Sequence, residues 1–116
     1  MIIFPFGFFI LDEKAPVYVG NDLRAQTIVR AWLEANPDKV RLAFDAVGPA
    51  RVLTRFLGWD ESPRSSSMDP EPMLFESSSD GIPEIAERRL YRNYHAALAG
   101  HAELVEIVKA RLRGGC

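Results

Sequence analysis

The chain has 116 residues, of which 47% are apolar and 26% charged, with a formal net charge of −2. That length and apolar share fit a single domain around one core, and they exclude a wholly disordered chain as well as the large basic excess of most nucleic-acid modules. Near neutrality hides a split, because between Trp59 and Glu87 eight carboxylates (Asp60, Glu61, Asp69, Glu71, Glu76, Asp80, Glu84, Glu87) face one cation, Arg64, while the remainder carries 13 Lys and Arg against 8 Asp and Glu.

Ile2 to Leu11 is apolar on both faces, and Val17-Tyr18-Val19 is β-branched and aromatic. Together they predict a hairpin turning over Asp12 to Pro16. Pro5 lacks a ladder donor and Gly7 weakens a strand, which places an edge or bulge near them. With no cationic leader or small-residue cleavage site, Met1 to Leu11 is expected to be part of the fold rather than a signal sequence. Asn21 or Asp22 can cap a first helix that carries Leu23, Ile28, Trp32 and Leu33 and ends at Asn36. Pro37 then opens a second short helix with Val40, Phe44 and Val47. Gly48-Pro49 repeats the device for a third, with Val52, Leu53, Phe56 and Leu57, closed by Gly58.

Residues 60–81 hold seven Ser and three Pro, the composition of an acidic internal loop that cannot bury enough surface to offset its ordering. Its island Met73-Leu74-Phe75 reads as a third strand over 73–76 beside the hairpin, as an anchor to the core, or as a linear motif shown to a partner; strand or anchor is favoured. Pro83 opens the last helix. Leu90, Tyr94, Leu98, His101, Val105, Val108 and Leu112 then recur in steps of three and four and pass Gly100 without a slip, predicting one helix of about thirty residues, roughly 45 Å long. Its stripe is expected to rest on the hairpin and Trp59 or to meet a second copy of itself.

His95 and His101 lie six apart, so they cannot chelate a metal as one helical pair. His101, on the apolar stripe, is expected to be buried and hydrogen-bonded to backbone or carboxylate. Glu87, Tyr91 and His95 share a helical face, but an acid beside an imidazole needs a positioned nucleophile and an oxyanion site before it is catalytic, and the serines lie in the loop. The glycines are isolated or terminal, with no phosphate-cradling pattern. Arg88, Arg89 and Arg92, with Arg51, Arg55, Lys109, Arg111 and Arg113, offer a basic patch whose readiest use is to receive the acidic tract of the same chain. Arg111-Leu112-Arg113-Gly114-Gly115 resembles the conjugating tail of the ubiquitin family over five residues. It departs from that pattern by continuing a helix and by ending in Cys116 rather than the free diglycine. As the sole thiol, Cys116 allows no internal disulfide, which fits a cytoplasmic setting. No segment approaches the ~20 apolar residues of a membrane span.

These readings predict an α+β domain over 1–116, with neither catalysis nor cofactor nor metal. The expected function is protein binding by a small inhibitor or regulator, such as a mobile-element protein that blocks a larger nucleoprotein machine, or an antitoxin. Asp60, Glu61, Asp69, Glu71, Glu76, Met73, Leu74 and Phe75 are the expected contacts to a protein with a basic surface. Arg88, Arg89 and Arg92 form the accompanying basic patch. The chain is also expected to form a homodimer, since the hairpin and the long helix offer more apolar surface than one core of this size covers. A homodimeric structural or assembly protein is the alternative function, and a nucleic-acid module is a more distant one.

Overall fold

The computed structural model describes residues 7–60, 72–82 and 86–114. It is an α+β fold with two antiparallel sheets, one of two strands and one of four. Strands β1 (Phe8–Asp12) and β2 (Ala15–Gly20) form the expected hairpin across the turn Glu13-Lys14. A register shift between Phe8 and Phe9 follows Gly7, whose φ is 75°. A Cβ at Gly7 would lie 2.5 Å from Tyr18 Cε1, so only glycine fits this approach. Residues 2–6, which include Pro5, fall outside the described residues. Helix α1 (Leu23–Ala35) begins where the sequence predicts, the Asp22 carboxylate accepting the Ala25 N–H at 2.9 Å. It buries Ala25 and Val29 against Phe8, within a cluster bordered by Ile10, Val19, Leu33 and Trp59.

The predicted second and third helices are not formed as such. Only one helical turn, α2 (Pro37–Val40), follows Asn36. Phe44 and Val47 lie in β3 (Arg41–Val47), and Val52, Leu53 and Phe56 in β4 (Ala50–Phe56). Gly48, with φ 58°, and Pro49 make the two-residue turn of a hairpin in which Val47 pairs with Ala50. A glycine in the left-handed region at the first turn position matches the twist of antiparallel strands, so the residues that can stop a helix here reverse a strand.

The Ser-rich stretch contains a further strand. β5 (Phe75–Asp80) pairs with β4, and β6 (Arg88–Tyr91) pairs with β5, giving the order β3-β4-β5-β6. The third strand expected beside the N-terminal hairpin therefore belongs to the other sheet. Leu74 and Phe75 are buried, and the Leu57 N–H donates to the Leu74 carbonyl at 2.7 Å, which fixes the entry into β5. Of the expected acidic loop, residues 61–71 lie outside the described residues.

Helix α3 (Tyr94–Gly114) has 21 residues rather than thirty, because residues 88–91 are strand. Asn93 caps it, its side-chain oxygen accepting the Ala96 N–H at 2.7 Å. Gly100 does not interrupt it. The helix crosses one face of the four-stranded sheet and buries Ala97, Gly100, His101, Leu104 and Val108. Leu104 and Val108 meet Ala50 and Val52, while Ala97 joins Phe56, Leu74, Phe75 and Leu11 of the hairpin. Of the predicted apolar stripe, His101 and Val108 are thus buried within the chain and Tyr94, Leu98, Val105 and Leu112 half-buried.

Candidate functional site

The register of the four strands sorts their side chains into two lattices. Toward α3 point Asp45 beside Val52 and Ser79, Ala43 beside Thr54, Ser77 and Arg89, and Phe56 beside Phe75 and Tyr91. Most of this lattice is core. Its polar members form a chain: the Asp45 carboxylate lies 2.7 Å from His101 Nε2, His101 Nδ1 lies 2.8 Å from the Thr54 hydroxyl, Thr54 lies 2.6 Å from the Ser77 hydroxyl, and the Ser77 hydroxyl lies 3.5 Å from the Ala97 carbonyl. His101 is buried and held by a carboxylate, as its place on the helix stripe suggested.

An acid, an imidazole and a hydroxyl in series are the parts of a nucleophilic relay. The hydroxyls here have no access to a substrate, since Thr54 and Ser77 are both 0% exposed. The series instead satisfies buried polar groups in either of two ways. With a neutral imidazole, Nε2–H donates to Asp45, Thr54 donates to Nδ1 and Ser77 donates to Thr54; with a charged imidazole, donation runs from Nδ1 through Thr54 and Ser77 to the Ala97 carbonyl. Only Asp45, whose side chain is 55% exposed, connects this series to solvent.

The opposite lattice lies away from α3. Arg41 stands beside Arg55, Glu76 and Leu90; Phe44 beside Leu53, Ser78 and Arg88; and Ala46 beside Arg51 and Asp80. Arg41, Phe44, Arg51, Arg55 and Arg88 are exposed, whereas Leu53 and Leu90 are half-buried. Within this face Glu76 is buried, one carboxylate oxygen accepting from Arg55 Nε at 3.1 Å and the other from Arg88 Nε. Arg51 Nε donates to Asp80 at 2.8 Å. The Arg41 guanidinium stands 5.9 Å from the centre of the Phe44 ring and has no carboxylate partner among the described residues. Among the described residues, four arginines against two carboxylates make this face positive, with an exposed aromatic ring at its β3 edge.

Several expected site residues fall elsewhere. Leu74 and Phe75 are spent on the core and offer no surface to a partner. Met73 is half-buried, its N–H donating to Asp60 at 3.1 Å. Glu76 does belong to the acidic tract, but it is neutralised by two arginines of its own sheet. Glu61, Asp69 and Glu71 lie outside the described residues. Arg88 and Arg89 do not share one basic patch, because neighbours in a strand point to opposite faces. Arg88 holds Glu76 on the open face; Arg89 reaches Glu87 at 2.9 Å and Glu103 at 3.4 Å on the other. Burial alone would lower the Arg89 pKa, but the charge of Glu87 and bonds to Tyr91 and Glu87 outweigh it, and the net shift is upward. Arg92 is exposed beyond the end of β6. Glu87 and Tyr91 are not on the last helix with His95, so that proposed face dissolves. Of the five-residue tail that resembles ubiquitin's, Arg111 to Gly114 is helical.

The sequence offers Arg51, Arg55 and Arg88 as basic-patch residues but not the sheet face that joins them to Arg41 and Phe44, because the strand alternation of Arg51 and Arg55 with Val52 and Thr54 is concealed by the adjacent apolar pair Val52-Leu53. Among the described residues no group of three or more His, Cys, Asp or Glu could hold a metal ion, and no helix is long and apolar enough to cross a membrane. Comparison with protein-family models, curated proteins and solved structures gives no match.

Proposed function

We propose that this chain is a non-enzymatic protein-binding regulator, an inhibitor of or adaptor for a larger partner, and that it docks through the open face of β3 to β6. The observation that carries the reading is the imbalance between the two lattices. The chemically suggestive groups are sealed beneath α3, whereas the accessible face sets Phe44, Leu53 and Leu90 among four arginines. Arginine beside an aromatic ring and aliphatic side chains is the composition favoured at protein interfaces. The direction of the charge differs from the sequence-based expectation, since the acidic residues seen on this face, Glu76 and Asp80, are already paired with its arginines.

The test is recovery of partners from the native host with the full chain and with an Arg41→Glu, Phe44→Ala double variant, compared by quantitative mass spectrometry. Both residues are exposed, so the melting temperature should stay within a few degrees. A partner retained by the original chain and lost by the variant supports the proposal; an identical set retained by both contradicts it. Homodimeric assembly keeps one specific observation in its favour, the exposed Val17 and Tyr18 on strand β2, which is the edge of the hairpin sheet. Light scattering separates the two, because a dimer through β2 doubles the mass in the original chain and the face variant alike.

A further inference from the structure

Resting on that reading, we propose that the open face receives an extended acidic segment of the partner, laid along β4, with carboxylates two positions either side of an apolar residue. Arg51, Leu53 and Arg55 occupy alternate positions of β4 and point to the same side. At about 3.3 Å per residue the two arginines stand roughly 13 Å apart. An extended segment has the same repeat, so its residues i and i+4 sit above the two guanidinium groups and residue i+2 above Leu53. Phe44 is the direct cross-strand neighbour of Leu53 and is 48% exposed, giving that middle side chain a second apolar wall. The bonds of Arg51 to Asp80 and of Arg55 to Glu76 run through Nε, which leaves the terminal nitrogens available for an end-on approach by an outside carboxylate. Arg41, opposite Arg55 in register, adds a further cation.

The same geometry disfavours a nucleic-acid strand. A phosphate backbone brings a charge with every nucleotide and would set some of them against Asp80, whereas a peptide places only the two carboxylates that the arginines can receive. Among the described residues, base stacking has a single exposed ring, Phe44, on this face.

The experiment is an amide NMR titration of the full chain with the synthetic peptide Thr-Glu-Thr-Leu-Thr-Glu-Thr, its counterpart with Gln in place of Glu, and an eight-nucleotide oligothymidylate. The expected result is saturable shifts centred on Arg41, Phe44, Leu53 and Arg55 with the acidic peptide. Its dissociation constant should rise about fivefold for the Gln peptide, the sum expected of two exposed ion pairs. Arg51→Gln, at an exposed site that leaves Glu76 and the core untouched, should weaken binding about twofold to threefold, and so should added salt. Equal binding of the Gln peptide, tighter binding of the oligonucleotide to the same amides, or no saturable shift on this face with the acidic peptide would each overturn the inference. None of these would reject the chain as a protein-binding regulator if the double variant still loses its partner in the host, so the two claims fail separately.

Discussion

Thr54 is fully enclosed, so its hydroxyl has to be paired inside the fold, and it is paired on both sides, by His101 and by Ser77. These contacts tie α3 to the middle of the sheet between the apolar clusters on either side, so they fix the position of the helix along the strands as well as contributing energy. Replacing Thr54 by Val keeps the volume and removes the hydroxyl. His101 Nδ1 and the Ser77 hydroxyl then lose a partner without gaining water, which should lower unfolding stability by about 1–3 kcal/mol. Removing the imidazole as well, in Thr54→Val with His101→Leu, should cost less than the sum of the two single changes, because an apolar pair leaves no orphaned nitrogen. Urea unfolding of the four proteins checks this. Strict additivity would contradict a coupled buried network. Glu76 follows a different rule, since its two arginine partners are themselves half exposed to solvent, and its role is to seat Arg55 and Arg88 on the open face.

Among the elements, α3 and β6 meet at Gly100, where an added Cβ would come within 2.1 Å of Cζ and Oη of Tyr91. Alanine is the better helix former by about 1 kcal/mol, so the substitution sets helix propensity against the ring. Gly100→Ala alone should destabilise, by about 1 kcal/mol net, as the ring is forced from its place. In a Tyr91→Ala background the same substitution should stabilise by about 1 kcal/mol. Thermal unfolding of both pairs reads the sign, and the same sign in both backgrounds would show that Tyr91 does not set the requirement for glycine. What was legible in the sequence follows the strength of local signals. The hairpin, the Asp22 cap, the N-terminal boundary of α1, the unbroken passage through Gly100 and the burial of His101 all have short-range causes. The strands β3, β4 and β5 do not: the Gly48-Pro49 pair suits either a helix stop or a tight hairpin, and Ser77 to Ser79 are held in a strand by pairing with β4, with α3 covering Ser77 and Ser79. β6 was hidden for a related reason, since Leu90 happens to keep step with the apolar stripe of the following helix.

At the scale of the molecule, the chain measures 54 × 32 × 22 Å, with the hairpin and α1 packed about one cluster and the four-stranded sheet and α3 about another. Leu11, Phe56, Leu74 and Phe75 join them, helped by Trp32 and Phe9 at the border. The sheet of the same chain buries Ala97, Leu104 and Val108, and of the predicted helix stripe His101 and Val108, while Tyr94, Leu98, Val105 and Leu112 are half-buried. Two exposed surfaces then compete as the working one. Phe44 marks the arginine face at 48% exposure, and Tyr18 marks the outer edge of the hairpin at 56%. They lie on different sheets and are oxidised by similar chemistry, so each reports on its own surface. Hydroxyl-radical footprinting of the purified chain and of its complex recovered from the native host therefore tests the central claim most directly. The account predicts that oxidation of Phe44 falls several-fold in the complex while Tyr18 remains as reactive as in the free chain; protection of Tyr18 with Phe44 unchanged would contradict it and move the interface to the hairpin.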